Sequence, residues 1–261
     1  MDKKNSKTAI CFVADFKYLF KNFQRIHTQL VNNGKFKGDV IIITSLLSPT
    51  FLISKIRKNK NVQVLRFKKI RFSKQAENIL SNLNTNPNRH NTKRFQWQKL
   101  NVFHTALKKW DFIFYLDINM NIHHDINLIL NILPLNKIYA RCDGYPDYKR
   151  ILESQFEKNN EKFKELSQNF DLSINNYFQT GVLYFDTSII KKNTLRDLIE
   201  LVNKFPISIT NEQGILNLYF IFIKNIYQEL PVKVEGGITY QYWNSNTEKI
   251  IITKSNKEQF K

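Results

Sequence analysis

The sequence predicts an α/β fold in which a mostly parallel central sheet is flanked by helices. Three observations carry that prediction. Short, continuous apolar runs recur along the first half of the chain, as in strands buried on both faces. Stretches with apolar residues at helical spacing separate them, so strand and helix alternate as crossover connections require. Glycine is scarce, 7 of 261 residues, which argues against a β-sandwich joined by many glycine turns. The length suits one α/β domain that buries most of its surface, and falls short of two ordinary ones.

The first apolar run is residues 9–14, and Leu19, Phe23, Ile26 and Leu30 then place a helix over residues 17–31. Residues 39–44 carry Val40, Ile41, Ile42 and Ile43, a second buried strand. Pro49 can open the next helix, and residues 62–67 read as a third strand. Residues 73–92 are polar and rich in asparagine, a surface connection with one helical turn. A helix is expected over 93–109, with Trp97, Leu100, Phe103 and Leu107 on one face and Trp97 in the core. It leads into an aromatic buried strand over 111–116. Asp125 reads as the N-cap of a short helix over 126–133, which Pro134 stops. Further strands are expected at 137–140, 177–185 and 249–253, and Gly236-Gly237 marks a turn. Residues 146–169 form a charged helical segment, and 188–204 and 211–223 read as helices. Nothing repeats, and no linker divides the chain.

The net charge is +18. A solvated lysine-rich surface, attraction to an anionic membrane face and binding to nucleic acid are three readings of it. Basic residues cluster at 54–60 and 66–74, mixed with apolar ones as on an amphipathic surface element. No recognised nucleic-acid module accompanies them, so nucleic acid ranks last. Cys11 and Cys142 belong to no C-x-x-C pair, and read as free buried thiols in a reducing compartment. The first residues lack a hydrophobic signal core, and the longest apolar run, 216–223, is too short to span a membrane. The expectation is a cytoplasmic protein, soluble or in peripheral contact with anionic membrane, of open oligomeric state.

Ligands of open α/β sheets bind at the carboxyl ends of the strands. The most informative end is Phe112-Ile113-Phe114-Tyr115-Leu116-Asp117-Ile118-Asn119, where a buried aromatic strand runs into a carboxylate and then an amide oxygen. Residues two apart in extended chain project to the same side. Asp117 and Asn119 can then face one hard divalent cation, Mn²⁺ or Mg²⁺, bridging a diphosphate. A strand-ending aspartate that merely solvates its loop is the alternative. His123 and His124 read as a solvated loop pair rather than as metal ligands.

Four further blocks follow in order: Lys99-Leu100 ahead of Tyr115-Leu116-Asp117, then Ala140-Arg141-Cys142-Asp143-Gly144-Tyr145-Pro146-Asp147, Tyr177-Phe178-Gln179-Thr180-Gly181-Val182-Leu183 and Asn211-Glu212-Gln213-Gly214-Ile215-Leu216-Asn217. Phe12-Val13-Ala14-Asp15 with Tyr18 opens the series. Together, over about residues 9–231, they resemble glycosyltransferase family 8, the family of glycogenin and the lipopolysaccharide galactosyltransferases. The resemblance implies a Rossmann-like GT-A fold in a single domain over 9–261, after a flexible tail at 1–8. Residues 9–119 would be the nucleotide-binding half and 120–261 the acceptor half.

It also implies a UDP-sugar donor, a glycan, protein or lipid acceptor, transfer of a hexose-type sugar with retention of configuration, and Mn²⁺ or Mg²⁺ as cofactor. The residues that match are Ala14, Asp15 and Tyr18 at the uridine, Lys99 and then Arg94 at the diphosphate, and Gln179, Thr180 and Gly181 at the sugar. Asp143, Glu212 and Gln213 are the catalytic candidates: the first two fix the sugar, and Gln213 lies near its anomeric carbon. Asp117 and Asn119 are the metal candidates. Three departures bear on the metal and the sugar. Asn119 replaces the second acid of the family's Asp-x-Asp motif, Gln179 and Glu212 replace Asn and Asp, and no histidine follows residue 125. The implied metal is therefore weakly bound and dispensable. The alternative function is a non-catalytic nucleotide-sugar-binding protein with a degenerate metal site. A nucleotidyltransferase is discounted, because Ala14-Asp15-Phe16-Lys17-Tyr18 holds no glycine for a phosphate loop.

Overall fold

The computed structural model describes residues 6–83, 95–145, 147–242 and 249–254. β1 (Thr8–Val13) leads to Asp15, whose carboxylate caps α1 (Phe16–Asn32) by accepting from the Tyr18 amide at 2.8 Å. β2 (Asp39–Ser45), α2 (Thr50–Arg57), β3 (Val62–Phe67) and α3 (Lys74–Asn82) follow. Two 3-10 segments, Trp97–Phe103 and Thr105–Lys109, precede β4 (Phe112–Leu116) and β5 (Met120–Ile122). The second half runs α4 (Asn127–Leu130), β6 (Ile138–Cys142), α5 (Lys162–Asn169), β7 (Phe178–Asp186), α6 (Thr194–Lys204) and α7 (Glu212–Asn217). It ends on β8 (Tyr227–Glu229), β9 (Lys233–Val234), β10 (Gly237–Gln241) and β11 (Ile250–Lys254).

Seven strands make the central sheet in the order β3-β2-β1-β4-β7-β6-β8, with β7 antiparallel to both of its neighbours and the other pairings parallel. This is the mostly parallel, helix-flanked sheet that the sequence predicts. Alternate residues feed two cores. Ala9, Cys11, Ile41 and Ile43 face one, with Trp97, Leu100 and Phe103; Ile10, Phe12 and Ile42 face the other, with Leu19, Phe23, Ile26 and Leu30 of α1. Each such isoleucine, leucine or phenylalanine contributes about 1.5–3 kcal/mol on full burial, so the apolar runs are what hold strands and helices in register. Both cysteines are free and buried, as expected.

The register positions the chemistry. Cys11 lies opposite Tyr115, so Ala14 and Asp15 reach the same carboxyl edge as Asp117. A second sheet, β5-β11-β10-β9, sits at that edge, with Lys254 of β11 opposite Met120 of β5. The turn into β10 requires glycine: Gly237 has φ +151°, and a Cβ there would stand 2.2 Å from the Lys249 carbonyl oxygen.

Several expectations are corrected. Residues 97–109 are two 3-10 pieces rather than one α-helix. All seven residues of Trp97–Phe103 are buried, so no polar face exists to mark a 3.6-residue period. The spacing of Trp97, Leu100 and Phe103 by threes is that of a 3-10 turn. The helical structure among the described residues of 147–169 is a 3-10 turn, Leu152–Gln155, and α5, and the helix from Glu212 becomes π-helical at Leu218–Ile223. α3 is longer than one turn because Ser73 caps it, accepting from the Ala76 amide at 3.2 Å. Asp125 does accept from the Asn127 amide, at 3.0 Å, although the helix there is only four residues long.

Candidate active site

Asp117 directly follows β4, and its amide donates to the Gly181 carbonyl of β7 at 2.9 Å. Gly181 keeps that junction tight: a Cβ on it would come within 3.5 Å of Asp117 Oδ2 and 2.7 Å of the Met120 methyl. The carboxylate is fully engaged. Oδ1 accepts from the Tyr115 hydroxyl at 2.7 Å and faces Lys99 Nζ at 3.2 Å, and Oδ2 receives Lys254 Nζ at 2.7 Å. Burial alone would raise the Asp117 pKa, but Lys254 and Lys99 outweigh it and hold the carboxyl well below its ordinary range.

Lys99 is buried. Its ammonium meets Glu212 Oε1 at 2.7 Å, Asp117 Oδ1 at 3.2 Å, and the Thr180 carbonyl and hydroxyl at 3.1 Å each. Burial pulls its pKa down, but the charges of Asp117 and Glu212 push it up by more, so it stays an ammonium ion. Three N–H donors facing four acceptors leave none over. Lys99 therefore has no proton to give to the diphosphate, and serves instead to tie β4, β7 and α7 together.

A second chain of hydrogen bonds extends from Thr180. Its hydroxyl donates to Glu212 Oε1 at 2.9 Å, and its amide donates to Gln213 Oε1 at 3.2 Å. Gln213 Nε2 donates to Gln155 Oε1 at 2.8 Å and to Asp143 Oδ2 at 3.3 Å. Burial raises the Asp143 pKa, against hydrogen bonds from Tyr177 and Gln213 and the charge of Arg150. Glu212 Oε2 is buried and has no hydrogen-bond partner among the described residues. α7 begins under backbone strain: Asn211, a buried non-glycine residue, has φ +55°, and its side-chain amide donates to Gln96 Oε1. Gln179 Oε1 accepts from the Tyr240 hydroxyl at 3.2 Å.

A cleft opens beside Asp117, lined among others by Ala14, Asp15, Tyr18, Lys99, Asn119 and Lys254. The structure thus brings Ala14, Asp15, Tyr18, Lys99, Asp117 and Asn119 to one cleft. Asp143, Thr180, Glu212 and Gln213 join it from behind through Lys99. Arg94 lies outside the described residues. His123 bonds Thr253 Oγ1 at 2.8 Å and takes no part. Trp97 is in the core, as expected.

The donor set does not fit the implied Mn²⁺ or Mg²⁺. Such an ion needs free carboxylate oxygens at about 2.0–2.1 Å, and both Asp117 oxygens already carry an ammonium group. A dication about 4 Å from one ammonium is repelled by roughly 8 kcal/mol at an effective dielectric constant near 20. Asn119 adds only a neutral amide, and among the described residues no three His, Cys, Asp or Glu side chains cluster to hold a metal.

No family model matches the chain, and no curated protein matches it. Solved structures do. The bifunctional glycosyltransferase WbbM matches with a TM-score of 0.57 and 16% identity over 89% of this chain, which spans 40% of that protein. The galactosyltransferase LgtC, in complex with donor and acceptor sugar analogues, matches with 0.55 and 13% over 85% of this chain and 72% of its own. Mouse xyloside xylosyltransferase 1 matches with 0.55 and 10% over 97% of this chain and 98% of its own. The fold is therefore that of the GT-A glycosyltransferases. Among the described residues, no helix is long and apolar enough to cross a membrane.

Lys254, Tyr115 and Gln155 escaped the sequence reading. Lys254 directly follows the strand expected at 249–253, yet lies 137 positions from Asp117, and nothing in the spacing links them. Tyr115 was legible as a strand residue two before Asp117, on the same side of the extended chain.

Proposed function

We propose that this protein is a glycosyltransferase of family 8 type that transfers a hexose from a UDP-sugar to a glycan, protein or lipid acceptor, with retention. One observation carries the proposal. On a GT-A fold, Asp117, Thr180, Glu212, Gln213 and Asp143 form one hydrogen-bonded chain through Lys99, behind a cleft that Asp15 and Tyr18 border. In the reaction the bond from the anomeric carbon to the β-phosphate oxygen breaks, and its electron pair leaves with UDP. The acceptor hydroxyl oxygen bonds to that carbon, and its proton passes to the departing phosphate oxygen on the same face. Asp143 holds a sugar hydroxyl, which fixes the reacting geometry, and the buried Glu212 holds Lys99 and Thr180 in place. Gln213 Oε1 keeps one lone pair beyond its bond to Thr180, which would stabilise positive charge developing on the sugar. Residues up to 119 line most of the nucleotide cleft, and those from 120 supply Lys254, the sugar-facing groups and the acceptor side.

A thermal-shift panel of UDP-, GDP- and TDP-sugars tests the donor. Ligand at 100 times its dissociation constant adds about 2.7 kcal/mol, and UDP-sugars should give the largest shift. Equal shifts from all three would remove the uridine assignment, and no shift from any would remove the nucleotide-sugar reading. The ammonium on Asp117 favours a second reading, a binding protein without turnover, which UDP-sugar hydrolysis would exclude. Peripheral contact with anionic membrane rests on the basic clusters at 54–60 and 66–74 and on the exposure of Phe20, Leu47 and Phe51. Absence of salt-sensitive vesicle binding at low ionic strength would dismiss it.

A further inference from the structure

We infer that Lys254 occupies the place of the divalent cation and supplies the positive charge that neutralises the leaving diphosphate, so that this transferase works without metal. The inference rests on the reading of the cleft as a nucleotide-diphosphate site. Its basis is the distribution of protons. Both lysines flank Asp117, but the three donors of Lys99 are taken up by Glu212, Asp117 and Thr180. Lys254 has Asp117 Oδ2 as its partner among the described residues, at 2.7 Å, and borders the cleft with Asp15, Tyr18 and Asn119. Two of its three N–H donors remain for phosphate oxygens.

The ammonium is held in place rather than swept about on a flexible stem. Lys254 sits in β11, paired with Met120 of β5, and β5 follows the Asp117 turn directly. Its side chain is only 23% exposed. A partly buried charge acts in a lower dielectric than a surface one, so it stabilises developing negative charge more strongly. Asp117, the remaining acid of the metal motif, then has a changed task. It does not ligate a cation, but orients an ammonium group, and Lys99 holds Asp117 in turn. Asn119 follows from the same logic. A second carboxylate is unnecessary where one lysine replaces a dication: Glu212 already pairs with Lys99 and Asp117 with Lys254, so an acid at 119 would leave this cluster net negative beside the diphosphate.

The test is calorimetric titration of UDP and of uridine into wild type, Lys254→Met and Lys254→Arg, in EDTA and in Mn²⁺. UDP should bind wild type equally well in both media. Lys254→Met should weaken UDP by about ten- to a hundredfold, the worth of a hydrogen bond to a charged group, and leave uridine unchanged; Lys254→Arg should restore most of the loss. A UDP affinity that requires Mn²⁺ would overturn the inference, as would equal loss of UDP and uridine in Lys254→Met, which marks a merely structural lysine. Failure of UDP to bind in either medium would instead overturn the nucleotide reading beneath it. If Lys254→Met does not fold, the wild-type comparison of EDTA with Mn²⁺ still decides. The double variant Lys254→Ala/Asn119→Asp adds an independent arm: it should acquire Mn²⁺-dependent UDP binding, and indifference to Mn²⁺ would count against the exchange of lysine for metal.

Discussion

Lys99→Met is the most informative perturbation of the site's scaffold. Methionine matches the length of the lysine stem, so packing against Tyr115 is kept while the charge is lost. The ammonium lies 2.7 Å from Glu212 and 3.2 Å from Asp117, and both lysine and glutamate side chains are under 10% exposed. Removing one partner of a buried pair costs about 3–5 kcal/mol, because the carboxylate left behind is uncompensated. For a domain of this size each kcal/mol moves the melting temperature by roughly 2–4 °C, so the variant should melt about 6–20 °C lower. Adding Glu212→Leu should recover much of that loss, since a fully apolar replacement leaves no stranded charge. Differential scanning calorimetry of wild type, both single variants and the double variant closes the cycle. A Lys99→Met protein that melts within about 2 °C of wild type, or a double variant less stable than both singles, would refute the buried-pair reasoning.

Other expectations follow from the same geometry. Burial alone would raise the Asp117 pKa, but Lys254 and Lys99 hold it below its ordinary value, so its contribution to stability is present above the ordinary carboxylate range and lost progressively as pH falls from there toward the lowered pKa. Asp117→Asn should flatten the decline in melting temperature below about pH 4; an unchanged acid slope would show that the pairs contribute nothing. Asp117→Ala should lower turnover by about a hundredfold or more, and a folded variant with near-normal activity would make Asp117 a plain strand end. Gly237→Ala places a methyl against the Lys249 carbonyl at a backbone angle that L-residues rarely adopt, and should destabilise by about 1–3 kcal/mol. Denaturant titration measures it, and a neutral result would mean that β10 and β11 can shift apart without penalty.

The parallel strands were legible because burial on both faces leaves an unbroken apolar run, as in Val40-Ile41-Ile42-Ile43. Asp117 was legible because a carboxylate directly after such a run has to emerge at a ligand-binding edge. What escaped has physical causes. Trp97–Phe103 is buried all round, so the polar face that reveals a helical period is missing. β5, β8 and β9 have two or three residues each, too few for any alternation to register. Lys99 and Lys254 carry the same charge in a chain of net charge +18. Their difference, one saturated and one with donors to spare, arises only from partners that the fold gathers from β4, β7, α7 and β11.

The most direct measurement is the release of UDP from UDP-sugars by wild type and by Lys254→Met, each assayed in EDTA and in Mn²⁺. Wild type should release UDP at the same rate in both media, and Lys254→Met should be slower by about a hundredfold, the scale of losing one key electrostatic stabiliser. Release that stops in EDTA and returns with Mn²⁺, or that proceeds undiminished in Lys254→Met, would contradict a lysine in the place of the metal.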